Sequence, residues 1–400
     1  MVRTFARNTS LAGLVTLAIV SGEVARAGKA TSGGAAPPTD SRRQAVSQFF
    51  AAQRAAAAGD KVAALKALEA VAAARRGFYP GRQNPLGDFL SDPAFAKVDA
   101  ALRESYRASA NGKVAYRIDQ PRMAPEGIAY DPKGIRLLLS DWATGNIYAI
   151  RRGKPPAILL KVASLKPNGL TVDERRNLLW IVATNAFVGA EKPRSELIRV
   201  NLATGRRTVY ANAEGRGFND VAVAPNGDVY VSDTAASRIF RLRHGAGVLE
   251  TVLASDSGIN SPNGLTVDDS GRYLFIAQGM TPFRLRLSDG QMDLLGLPTN
   301  LDMIGTDGFY FQRGALYAVQ NLVTPGRILK LKLNETLDQV TAFQVLDSGH
   351  PAFNLPTTGA LVGNRFLVIA NSQLYRMVSK SPPDLASIDP LLILEYPATN

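Results

Sequence analysis

VAVAPNGDVYVSDTAASRIFRLRHGAGVLETVL, residues 221–253, breaks into four short apolar runs, each closed by a turn. The runs are Val221–Ala224, Val229–Asp233, Arg238–Leu242 and Gly247–Leu253. Asn226-Gly227 between the first two is a hairpin dipeptide, since a tight two-residue turn needs residues that tolerate positive φ. Four strands joined by short turns predict one antiparallel blade of a β-propeller.

The same unit recurs in both directions. An oxygen-bearing residue beside a turn residue opens each unit: Glu126-Gly127, Asn168-Gly169, Asn219-Asp220, Asn263-Gly264, Asp307-Gly308 and Thr358-Gly359. Successive members lie 42, 51, 44, 44 and 51 residues apart, a period at which one supersecondary unit repeats around a ring. The fold class is therefore all-β, a six-bladed β-propeller over residues 114–397. Val114–Ile118 or Leu391–Tyr396 is expected to supply the last outer strand of blade six and so close the ring.

Ahead of the propeller the composition changes. Residues 1–27 read as a signal peptide, with Arg3 and Arg7 before the apolar run Leu11–Val20 and cleavage expected after Ala27. That run is too short to span a bilayer, so an exported, periplasmic or secreted protein with no membrane insertion is expected. Residues 28–40 form a flexible linker rich in Gly, Ala and Pro. Residues 41–110 form a small α-helical segment, with helices over 42–58 and 61–76, Asp60 capping the second, and a shorter helix from Pro93 to about Arg107. The phrase AAAAGDKVAALKALEAVAAAR is similar to one tetratricopeptide-type (TPR-like) hairpin. A single such unit needs a neighbour to bury its face, and a cap packed on the propeller supplies one; contact with a peptide or protein partner through this segment is the alternative use.

Composition excludes several chemistries. The chain has no cysteine, which removes disulfides, thiolate metal sites and cysteine nucleophiles. The formal charge is +12, but the basic residues are scattered rather than interleaved with aromatics, so no nucleic-acid partner is expected. No glycine fingerprint precedes a helix, which disfavours a nucleotide cofactor.

The repeated column carries the chemistry. Inner strands of a propeller run in one direction around the channel, so equivalent positions meet at one height. Glu126, Asn168, Asn219, Asn263, Asp307 and Thr358 thus converge as two carboxylates, three carboxamides and one hydroxyl. Hard oxygen donors with charge −2 match a divalent cation, calcium first, with magnesium, manganese or zinc as alternatives. Turn chemistry alone explains Asn-Gly and Asp-Gly before a strand, but it does not call for oxygen at all six positions. Asp141, Thr184, Asp233, Gln278, Gln320 and Asn371 align as a second polar tier at the same end, which reads equally as a hydrophilic rim or as hydrated turns. Trp142, Phe187 and Phe218 are candidates for apolar pocket wall. Of the two histidines, His244 is expected on the surface, and His350, on the connection from blade five to blade six, is expected to be a solvated loop residue, with a base reaching the mouth as the alternative.

Pro125-Glu-Gly, Phe218-Asn-Asp, Ser261-Pro-Asn-Gly-Leu and Thr306-Asp-Gly together resemble the SMP-30/gluconolactonase/LRE-like family, with paraoxonases and strictosidine-synthase-like proteins as more distant relatives. The resemblance spans about residues 120–376. It implies a divalent metal in the channel serving lactone or ester hydrolysis, with Glu126, Asn263 and Asp307 as core ligands, Asn219 at the metal or substrate, and Asn168 at a position some relatives use. The arginine expected two residues before Asn219 is missing, and Arg216 lies three before it. The functional expectation is a metal-dependent lactonase or esterase with Asp307 as proton acceptor and Asn219 orienting a small-molecule substrate. The alternative is a non-catalytic propeller with a structural ion that binds a peptide, sugar or partner protein.

Overall fold

The computed structural model describes residues 40–81, 86–188, 190–323, 325–377 and 384–398. The signal peptide and nearly all of the linker lie outside these. Among the described residues, twenty-four strands form six four-stranded antiparallel sheets, five of them from four consecutive strands each. The blade read first from sequence runs Phe218–Val223, Val229–Asp233, Arg238–Leu242 and Leu249–Leu253.

Blade six closes the ring with both candidate strands. Its order is Gly359–Val362, Arg365–Ile369, Leu391–Pro397 and, outermost, Lys113–Ile118. Lys113 pairs with Glu395 and Ile118 with Leu391, so the strand that precedes blade one completes the blade that ends the chain. This leaves no open inner edge between first and last blades.

One apolar cluster fills each gap between neighbouring blades. Leu138, Leu170 and Ile181 lie between blades one and two, Trp180, Val221 and Phe240 between two and three, and Tyr317, Phe366 and Leu394 between five and six. Strand alternation produces this, because each blade is covered on both faces and its strands read as nearly continuous apolar runs.

The helices form a seventh cluster. α1 (Asp40–Ala57), α2 (Lys61–Ala74), α3 (Leu86–Leu90) and α4 (Ala96–Tyr106) follow one another, with Asp60 accepting the Ala63 N–H at 3.0 Å as the cap of α2. Their shared core of Phe49, Phe50, Leu68, Phe78 and Leu102 also takes in Met280, Ile304 and Val323 of blades four and five. The Tyr79 N–H donates to the Val323 carbonyl at 2.9 Å, Arg76 to the Thr299 carbonyl at 2.8 Å, and the Ser109 N–H to the Ser348 carbonyl at 2.7 Å. Apart from Ser348, which ends the outer strand of blade five, these propeller residues lie on connections or second-to-third-strand turns, so the cap sits at the end of the ring where the inner strands begin. Shortening Ile304, 1% exposed at this junction, to Val is expected to cost about 0.5–1.5 kcal/mol in urea denaturation. No described helix is long and apolar enough to cross a membrane.

Candidate functional site

A column residue stands within the first three residues of each inner strand or just ahead of it, and the fold gathers these residues at the channel mouth. Glu126 is 6% exposed. Its backbone carbonyl accepts from the Thr358 hydroxyl at 2.6 Å and the Thr357 hydroxyl at 2.9 Å. The Thr358 hydroxyl thus uses its proton to locate Glu126. The Glu126 Oε2 has no hydrogen-bond partner among the described residues.

The carboxamides are held by their nitrogens. Asn168 Nδ2 donates to the Phe218 carbonyl at 2.9 Å, and Asn219 Nδ2 to Thr234 Oγ1 at 2.9 Å. With the nitrogens engaged, each carbonyl oxygen is left as the free acceptor. Asp307 Oδ2 accepts from Asn321 Nδ2 at 2.7 Å, and Asn263 also donates to this carboxylate.

A third acid joins Glu126 and Asp307. Asp220 occupies the position where the other five blades carry glycine, and its Oδ2 accepts the Leu265 N–H at 3.0 Å. Its neighbour makes the space, because a Cβ on Gly169 would fall on the Asp220 carboxylate. The sequence signal was this one exception in a glycine column.

Burial drives the electrostatics. Loss of solvation pushes Asp220 up to about 6 and Asp307 up to about 7; repulsion from Asp220 adds to the rise at Asp307, while hydrogen bonds from Asn321 and Asn263 oppose it. Glu126 is held well above the ordinary carboxylate range by burial first, then by repulsion from Asp307 and Asp220. Tyr310 is likewise raised by burial and by the three acids, and its hydroxyl oxygen accepts the Gly359 N–H at 2.8 Å. No arginine or lysine contributes to the balance at any of the three acids. Below the ring a cavity of about 130 Å³ continues down the channel, lined by Asp220 and Tyr310 with Thr171 and Thr266 among apolar strand residues.

These donors suit a hard cation. Among the described residues no three or more His, Cys, Asp or Glu side chains are grouped as a metal cage, so a cation would have to draw on the carboxamide oxygens as well as the acids. Without Cys or His ligands, the set favours calcium or magnesium chemistry over zinc.

The second polar tier is not a rim. Asp141 and Asp233 are fully buried, and their oxygens accept backbone N–H groups: Asp141 from Ala124 at 2.8 Å, Asp233 from Gly217 at 2.9 Å and Ala236 at 2.8 Å. Gln320 donates to the Asp302 and Ile304 carbonyls, both at 3.0 Å, and Asn371 Nδ2 donates to the Pro390 carbonyl at 2.8 Å. Buried backbone groups need partners, and these side chains tie each incoming connection to the turn beside it. Trp142 and Phe218 are buried packing residues. His350 Nδ1 accepts the Ala352 N–H at 3.0 Å, which uses the nitrogen a base would need. Arg216 is exposed, and its guanidinium donates to the Ala213 carbonyl at 3.3 Å.

Close packing of inner strands makes the ring sensitive to a single methyl. A Cβ at Gly264 would overlap the Asp307 carbonyl and approach the Phe309 nitrogen to 2.7 Å. Gly264→Ala is expected to destabilise the fold by about 1–3 kcal/mol in thermal or urea melts.

No family model matches the sequence, and no curated protein matches it. Solved structures do. A gluconolactonase from Xanthomonas campestris is 16% identical, with a TM-score of 0.48 over 72% of this chain and 95% of that one. Regucalcin, a calcium-binding protein from Agrobacterium tumefaciens, is 16% identical, with a TM-score of 0.49 over 70% and 93%. The PQQ-bound aldose sugar dehydrogenase from Streptomyces coelicolor is 16% identical, with a TM-score of 0.47 over 72% and 99%. These likenesses concern the fold, which hosts different chemistries; function has to be argued from this chain's own side chains.

Proposed function

We propose that the chain is an exported hydrolase of lactone or ester bonds that works with a divalent cation, calcium first, held by Glu126, Asn168, Asn219, Asn263 and Asp307. The observation that carries this reading is the channel at and just inside its mouth: one buried acid, Glu126, and two half-buried ones, Asp220 and Asp307, with no cationic side chain among the described residues to offset them, beside carboxamide oxygens with no described donor. Buried charge of one sign is costly unless it is paired or coordinates a metal.

When bound, such a cation supplies Lewis-acid polarisation of a carbonyl and a lowered pKa for water. The protein's part is positional. Asp307, whose Oδ2 is held by Asn321 Nδ2, accepts the proton of the attacking water. Asn219 keeps a second Nδ2 hydrogen beyond the one given to Thr234, and that hydrogen orients the substrate carbonyl oxygen. Asp220, deeper in the channel, adds negative charge beneath the ring. The helical cap borders the mouth over blades four and five and limits approach from that side.

Metal analysis of the purified protein, coupled to a panel of lactones and aryl esters, tests the reading. Turnover that is lost on chelation and restored by calcium supports it. Turnover indifferent to chelation, or none across the panel, overturns it. N-terminal sequencing of the exported protein tests cleavage after Ala27.

A further inference from the structure

A second concavity lies at the opposite end of the ring, in the cleft between blades two and three. It encloses about 90 Å³. Its inner wall is aromatic: Trp180 and Tyr210 pack at 6.0 Å between ring centroids, with Leu178 and Leu242 beside them. Its outer wall is basic, formed by Arg176, Arg199, Arg243 and His244 against one acid, Asp173.

Two donors in this crevice are left over. Arg176 is paired with Asp173 at 3.0 Å and Arg243 with Glu250 at 2.8 Å. Arg199 has no carboxylate partner among the described residues; it donates to Thr208 Oγ1 at 3.1 Å and lies 5.8 Å from the Tyr210 ring centroid. Trp180 is 4% exposed, and its indole N–H has no acceptor in the described structure. A buried donor without an acceptor costs about 1–3 kcal/mol. Gly227 lets Arg176 and His244 pack over the backbone at the rim of the cleft, because a Cβ there would stand 2.6 Å from the Arg176 guanidinium carbon and 2.7 Å from His244 Cδ2.

We propose that this crevice binds a short-chain aliphatic carboxylate. An unneutralised guanidinium and a spare N–H call for an anionic acceptor with two oxygens. The leucines and rings call for an apolar tail. The volume is below the roughly 150 Å³ of a cavity that holds benzene, so the enclosed part takes a few carbons and no ring. A compact, strongly hydrated phosphate would forfeit the apolar wall. The site is remote from the channel, and its occupancy does not depend on the hydrolase reading.

Saturation-transfer NMR on the full chain, with butyrate, acetate and inorganic phosphate as separate probes, tests this. Butyrate is expected to bind saturably with a dissociation constant of about 1 mM, more tightly than acetate and far more tightly than phosphate. Arg199→Gln is expected to weaken butyrate at least about tenfold, the loss of a charge-assisted contact. Trp180→Phe keeps the ring, removes the N–H, and is expected to weaken it about fivefold. Circular dichroism and melting temperature report whether each variant is folded. Absence of saturable butyrate binding, unchanged affinity in either folded variant, or phosphate binding as tightly as butyrate would each overturn the proposal.

Discussion

Asp307→Asn is expected to lower lactone or ester turnover by about 10³-fold or more while leaving the propeller folded, because it removes the proton acceptor and one of the acids of the ring together. The substitution is nearly isosteric, and Asn321 and Asn263, which now donate to the carboxylate, can still find an amide oxygen there. The metal-free protein should become more stable, since one of three mutually repelling acids in the channel is gone. Steady-state kinetics with excess calcium, set beside urea melts in chelator, separates the two effects. A variant that retains turnover removes Asp307 from the chemistry; one that loses both turnover and fold says the residue is needed for structure alone.

Metal-free protein is expected to be more stable at pH 5 than at pH 8. The direction follows from the raised acids: Asp220 at about 6, Asp307 at about 7 and Glu126 also above its ordinary range. A carboxyl that holds its proton more tightly when folded contributes stability that is fully present below the unfolded value near 4. That contribution is lost as pH rises through the folded value. Asp220 alone accounts for on the order of 1 kcal/mol between pH 5 and pH 8, the rest of its contribution being lost below pH 5. A bound divalent cation inverts the trend, because it competes with protons for the same oxygens. At 100 times its dissociation constant it adds about 2.7 kcal/mol, and more of this is realised as pH rises. Thermal melts from pH 4 to 9 with and without calcium show the crossing. A metal-free melting temperature that rises through pH 8, or calcium that shifts nothing, would contradict the assigned electrostatics.

The fold was legible because each blade repeats the same local grammar. Alternating apolar runs, a hairpin dipeptide such as Asn226-Gly227 and a period of 42 to 51 residues are all local, and local signals survive in one sequence. Ring closure was half legible: both terminal segments read as strands, but only pairing shows that Leu391–Pro397 lies third and Lys113–Ile118 fourth. The sites diverged more. Asp220 resembled the turn residues around it, and its place in the channel depends on the missing Cβ of Gly169 on the neighbouring blade. The second tier read as a rim or as hydrated turns because hydrogen-bond partners are invisible in sequence. Asp233, for instance, spends its oxygens on the amides of residues 216, 217 and 236. Thr358 read as a sixth donor, whereas it holds the carbonyl of Glu126. The cleft residues Trp180 and Arg199 gave no sequence signal, since an inward aromatic and a strand arginine are ordinary blade composition.

The central claim is that the column of inner-strand residues forms a cation site. Equilibrium dialysis of the purified chain against calcium, at neutral pH and beside Glu126→Gln, tests it most directly. One calcium per wild-type chain, with binding lost or weakened at least about tenfold in the folded variant, is the predicted result. A wild-type protein that takes up no divalent cation, or a variant that binds calcium as the wild type does, would contradict it.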